Sequence, residues 1–362
     1  SSEQLQQDAD VSRLLFTRRR ICPKIGASID EPTFPDSAKR EKQLSKDDFR
    51  VAVVGAGGTG AYYGGALARA GAQVTMIARG PHLDAINNNG LQLQSVLLGD
   101  FEVECAATDD MSTVDRVDLV IFAVKSWGTD AAIEAMASGG MVGEGTLIIS
   151  MQNGIDSEPL LSNAFGPEHV LGCTATVSAL IVEPGVVKQA GGPGSLVIGE
   201  LDVSQNTGGT PSARVIKLVE RCVTAGLAAE AHTNIEMALW MKFTFICALS
   251  GMTALTRKPI GDIFAQETTT EMYRQVLSEV AAVARAKGVN ISEELVSSTL
   301  AATQDREPFI IGSMGHDLIA GNPIEIGLLN ARVVEMGKAL GVPTPANFAI
   351  EAALRPHEAG AD

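Results

Sequence analysis

The stretch RVAVVGAGGTGAYYGGALARAGAQVTMIAR, residues 50–79, decides how the rest of this chain is read. A short apolar run rich in valine meets a glycine-rich turn, an alanine-rich segment of helical length follows, and a second apolar run closes the unit. That succession is a βαβ unit. Its turn, Gly55-Ala56-Gly57-Gly58-Thr59-Gly60, fits G-x-G-x-x-G in the strand-to-helix setting that the mechanism of this motif requires. Gly55 allows the tight turn, Gly57 lets the backbone approach a pyrophosphate, and Gly60 lets helix and strand touch closely. With Gly58 and Thr59 at the helix N-terminus, where free N–H groups favour phosphate, these are the candidate cofactor-binding residues. Glycines used purely for packing are the competing explanation.

A dinucleotide fold selective for NAD usually carries Asp or Glu about 20 residues beyond the turn. Here the second strand ends in Arg79, with no acid at that strand end. A guanidinium there can pair with a 2′-phosphate, so the expected cofactor is NADPH, the alternative being a solvated arginine.

Further strands are expected over 117–125 (VDLVIFAVK) and 146–154 (TLIISMQNG), with a helix between them. Lys125 and Asn153 end these strands, and ligands of open α/β sheets bind outside such carboxyl ends. Read singly, Lys125 is also an ordinary surface lysine and Asn153-Gly154 an ordinary turn. The segments 169–191 and 195–201 read as an extended, antiparallel addition, and 214–226 as a helix closing the first domain. From about residue 234 onward the periodicity is helical. The expected fold class is therefore α/β: a Rossmann-type doubly wound sheet followed by an all-helical domain. The expected boundaries are 1–49 for a polar extension, 50–233 for the sheet domain and 234–355 for the helical domain.

A formal net charge of −15 argues against nucleic acid as a partner, since phosphate backbones require a basic face. The five cysteines lie apart, without a CxxC pair or histidines at ligand spacing, so reduced thiols and no metal site are expected in an intracellular protein. Residues 237–255 are long enough to cross a bilayer, but the hydroxyls and glycine within them and the lack of a second span favour a buried helix and no transmembrane segment. A soluble protein of the cytoplasm is expected, or of an organelle stroma or matrix if Ser1 is a processed end. The extension 1–49 is a candidate contact for a homodimer mate or another protein partner.

Within LWMKFTFICALSG, residues 239–251, Lys242 is the only charge. A lysine on a helix facing a cleft is partly desolvated, which lowers its pKa and suits a proton donor; a snorkelling surface lysine is the simpler alternative.

Taken in order, VGAGGTG, VKSW, MQNGIDSEPLL, EPGVVKQAG, LWMKF, SMGHDLIAGNPIEI and ALGVPTP make residues 50–350 resemble the ketopantoate reductase (2-dehydropantoate 2-reductase) family. The resemblance implies a C-terminal domain of the 6-phosphogluconate dehydrogenase type and NADPH-dependent reduction of a small 2-keto acid, ketopantoate to pantoate in pantothenate biosynthesis. It places Lys242 on the catalytic proton donor and Glu325 on the glutamate that orients that lysine and the substrate hydroxyls. Ser313 falls on a serine holding the substrate carboxylate, with Asp317 following it. Asn153 and Lys125 fall on cleft residues near the nicotinamide ribose. The sequence departs from the pattern four and eight residues after the lysine, where Ile246 and Ser250 replace asparagines. Ser250 remains a candidate substrate contact. Gly327 stands where an acid is usual, and Ala331 where glycine is frequent. A second reading keeps the fold without the chemistry: a structural or binding subunit docked through residues 1–49.

Overall fold

The structure is a computed structural model that describes residues 48–361, so the readings made for the extension lie outside the described residues except at Asp48 and Phe49. The first part of the chain runs β1 (Arg50–Val54), α1 (Gly58–Arg69), β2 (Gln73–Ile77), α2 (Gly80–Asn89), β3 (Leu91–Gln94), β4 (Phe101–Val103) and β5 (Ala106–Thr108). It continues through β6 (Leu119–Phe122), α3 (Thr129–Ser138), β7 (Leu147–Ser150), α4 (Ser157–Phe165), β8 (Val170–Glu183), β9 (Val186–Glu200), α5 (Ala213–Thr224) and β10 (Ala228–His232). All strands join one sheet in the order β4-β3-β9-β8-β7-β6-β1-β2-β5, with β10 alongside β9.

β1 pairs in parallel with β2 on one side (Val51 with Val74) and β6 on the other (Val51 with Leu119). Its residues Val51–Val54 are fully buried, as a central parallel strand covered on both faces must be. Val51 and Val53 enter one apolar cluster and Ala52 and Val54 another, which places a packed layer on each face. β2 and β5 lie on one side of β1 and β6 and β7 on the other, so the order reverses between β1 and β6. This is the switch point at which ligands of such sheets bind.

The antiparallel addition is the long β8–β9 hairpin, and β3 joins its end in parallel (Leu93 with Val187). Three details differ from the sequence reading. Residues 91–108 supply three short strands that carry too few residues to show a period. The helix α5 does not end the sheet domain, because β10 follows it and pairs in parallel with β9 (Ala229 with Leu196). The predicted strands 117–125 and 146–154 stop at Phe122 and Ser150, leaving their last residues free to line the cleft.

The second part is helical: α6 (Ile235–Thr256), α7 (Ile260–Phe264), α8 (Glu267–Ala286), α9 (Leu295–Gln304), α10 (Ser313–Ile319), α11 (Asn330–Leu340) and α12 (Pro345–Leu354). α6 is apolar all round because α8, α10, α12 and β8 surround it. It is long and apolar enough to cross a membrane, yet 89% of its most apolar window is buried inside the protein, where it forms the centre of the third apolar cluster.

Candidate active site

The glycine-rich turn divides its labour by position. Gly55 holds φ +101°, which L side chains rarely adopt, and makes the turn out of β1. A Cβ on Gly60 would lie 2.3 Å from the Gly55 carbonyl oxygen, so its absence lets α1 sit on β1. A Cβ on Gly57 would meet nothing within 4 Å, leaving that face open to a ligand. Gly58, expected to face the cofactor with them, also has a packing role: a Cβ there would lie 2.0 Å from the Ala179 carbonyl oxygen, so its absence seats the hairpin on α1. His82 ties the same parts together, for Gly185 at the hairpin end donates to Nδ1 (2.9 Å) and Nε2 then donates to the Ala56 carbonyl (3.0 Å). Arg79 caps α2 from the end of β2 with an exposed side chain.

At the neighbouring strand end, Lys125 reaches across to the helical part. Its ammonium donates to Asp317 (3.0 Å) and Glu325 (3.4 Å), and the Ser126 N–H donates to the other Glu325 oxygen (3.1 Å). Burial lowers the Lys125 pKa, but the Glu325 and Asp317 carboxylates outweigh it and the net shift is upward. Glu325 therefore orients Lys125, whereas the resemblance implied that it orients Lys242. Beside this bridge lies a cavity of about 490 Å³ lined chiefly by Trp127, Pro323, Ile324, Glu325, Leu328 and Glu358. Gly327 has no side chain, and the Glu358 carboxylate stands 3.2 Å from where its Cβ would be. Asn153 lies half-buried in the turn after β7, and its neighbour Gly154 touches Leu328.

Lys242 sits in the middle of α6 with 8% of its surface exposed. Among the described residues no hydrogen bond or ion pair holds its ammonium. Burial brings its pKa down to about 8, opposed by Cys173 and Glu158. Burial also pushes the Cys173 thiol far above its ordinary value, so that group is neutral at physiological pH and the charge able to act on Lys242 is the Glu158 carboxylate. Glu158, in the first turn of α4, is 3% exposed, and burial raises its pKa to about 7. Neither Glu158 nor Cys173 was singled out from sequence. An acid in the first turn of a helix ordinarily reads as a surface group facing the dipole, and only tertiary packing, with α4 laid against β7 and β8 and α6 against β8, makes this one internal.

One and two turns beyond Lys242 stand Ile246, half-buried, and Ser250, buried. Ser250 was expected to touch substrate, but Gly312 covers it; a Cβ there would lie 2.8 Å from the Ser250 oxygen. Ser313 follows, exposed at the start of α10, and Asp317 lies one turn further on the same helix. The contacts therefore run continuously from Lys242 along α6 to α10 and on to Lys125.

Residues 51–203 match the family model described as ketopantoate reductase PanE/ApbA, and residues 234–358 match the model of its C-terminal region. The chain belongs to the ketopantoate reductase family. A 2-dehydropantoate 2-reductase of Pyrococcus horikoshii is 29% identical over 313 residues, covering 86% of this chain and 98% of that protein. Among solved structures, the PanE/ApbA family ketopantoate reductase from Ralstonia eutropha JMP134 is 34% identical with a TM-score of 0.76, over 86% of this chain and 98% of that one. A D-mandelate dehydrogenase solved with NADH and anilino(oxo)acetate shares the fold at a TM-score of 0.77 and 22% identity, over 86% of this chain and 98% of that one.

Proposed function

We propose that this protein is an NADPH-dependent reductase of a small 2-keto acid, with ketopantoate to pantoate as the family reaction. The observation that carries the reading is Lys242, a buried ammonium that no hydrogen bond or ion pair holds among the described residues, with a pKa near 8. Burying a cation costs stability, and chemistry is the evident return.

The glycine turn fits a dinucleotide: Gly57 leaves the approach open and the α1 N-terminus offers free N–H groups to phosphate. Thr59 and Gly60 complete that first turn, Arg79 takes the 2′-phosphate, and Asn153 and Lys125 face the ribose side. When bound, NADPH supplies hydride to the C2 carbon of the keto acid. The carbonyl oxygen then takes a proton from the Lys242 ammonium, which becomes a neutral amine. Glu158, with a pKa near 7, is the carboxylate whose charge favours the protonated form of that lysine. Ser313 at the start of α10 holds the substrate carboxylate, and Asp317 and Glu325 fix Lys125.

The test is NADPH oxidation by the full chain with ketopantoate across pH. A donor with a pKa near 8 predicts a kcat/KM that is level at neutral pH and falls tenfold per unit above about 8. Absence of oxidation with any small 2-keto acid, or a profile level to pH 10, would sink the reading. Arg79→Ala should raise KM for NADPH about tenfold or more and leave KM for NADH nearly unchanged, because only the former presents the phosphate. Equal effects on the two cofactors would remove Arg79 from the site.

A further inference from the structure

We propose that the site prefers 2-keto acids whose side chain is apolar and lacks a hydroxyl, and that Ile246 sets this preference. The proposal rests on the reductase reading above and names the substrate class for that site.

From Ile235 to Ala254 every residue of α6 is buried except Glu236 in the first turn and Ile246. Past that first turn, Ile246 is thus the one residue of this stretch that is only partly buried, packed on one side against the helical core and accessible on the other. It lies four residues after Lys242, on the same helical face. A substrate whose carbonyl oxygen takes the Lys242 proton lays the group attached to C2 along the next turn, against the Ile246 methyls.

The hydroxyls and amides of the surrounding helices offer little to a substrate hydroxyl at that place, being either engaged or, like the unpaired Asn330 oxygen against Gly251, sealed from the surface. Thr244 donates to the Trp240 carbonyl (2.8 Å), and Thr253 donates to Leu249 (2.6 Å) while accepting from the Gly312 N–H (3.0 Å). Ser250 lies beneath Gly312. The Asn330 amide donates to the Cys247 carbonyl (3.2 Å) and to Asn347 (2.9 Å). A substrate hydroxyl would give up water without a partner, a loss that corresponds to about ten- to a hundredfold in kcat/KM.

Trimethylpyruvate is ketopantoate without its hydroxyl, so the two isolate the effect. The experiment compares their kcat/KM in wild type, Ile246→Asn and Ile246→Val, and measures by calorimetry how the two matching 2-hydroxy acids bind the complex with NADP+. Wild type should favour trimethylpyruvate about tenfold or more, Ile246→Asn should move the ratio at least tenfold toward ketopantoate, and Ile246→Val should keep it, with binding in the same order. A wild-type preference for ketopantoate, or a ratio unmoved by Ile246→Asn, overturns the proposal and leaves the reductase reading intact. Discrimination in binding without any turnover supports the Ile246 role and overturns the reductase reading. Neither turnover nor binding overturns both.

Discussion

Lys242→Met is expected to cut turnover by about 10²–10⁴-fold and to make the protein more stable at neutral pH. The first effect is the loss of the proton donor. The second follows from its environment: a pKa brought from 10.5 down to about 8 means that the folded protein disfavours the charged form. At about 1.4 kcal/mol per unit, that is a cost of order 3 kcal/mol, carried in full below pH 8. Methionine is close in shape and removes the charge. The sign runs with pH as well. Between about 8 and 10.5 the unfolded lysine holds its proton while the folded one has released it, so wild-type stability rises through that window. The advantage of the methionine variant should therefore be largest at pH 7 and nearly gone above 10.5. Urea unfolding at pH 7 and pH 10, alongside turnover, measures both effects. A variant that is less stable at pH 7 would show that the ammonium is well solvated, and unchanged turnover would remove it from the chemistry.

Gly58→Ala and Gly57→Ala should behave oppositely although the residues are adjacent. At Gly58 the new methyl carbon would stand 2.0 Å from the Ala179 carbonyl oxygen, 2.3 Å from its carbon and 2.6 Å from the Leu180 nitrogen. Backbone cannot swing aside as a side chain can, so the hairpin must lift from α1, at a cost of about 1–3 kcal/mol or more. For a protein of this size such a loss lowers Tm by several degrees. Gly57, with φ −69° and open space around it, tolerates alanine without strain. Its substitution should leave Tm unchanged and weaken NADPH binding, since the methyl takes the space of the pyrophosphate. Thermal unfolding without nucleotide and a nucleotide titration separate the two cases. An unchanged Tm for Gly58→Ala would mean that the hairpin does not rest on the turn.

Features written in short stretches of chain were legible in the sequence. The βαβ unit follows from an apolar run, glycines at fixed offsets and a helical segment within residues 50–79, because strand, turn and helix propensities act over a few residues. Lys242 stands out for the same reason, as the single charge in the apolar run 239–251, whose burial the pattern itself announces. The family resemblance likewise rests on contiguous motifs.

What depends on residues far apart in sequence was settled by tertiary structure alone. β10 finds its place by pairing with β9, and nothing in AAEAH marks a strand until that partner is present. Glu325 looked like the companion of Lys242, but the approach of α10 and the segment after it to the end of β6 gives it to Lys125, 200 residues away. Glu158 became the carboxylate acting on Lys242 because α4 and α6 both pack on β8, turning an ordinary first-turn acid into a buried one. Gly58 and Ser250 carry residue types that suit a ligand, yet each is covered by backbone from another element, Ala179 in one case and Gly312 in the other. Burial and pairing are properties of the assembled surface, and a side chain's local sequence carries no record of which distant segment will come to cover it.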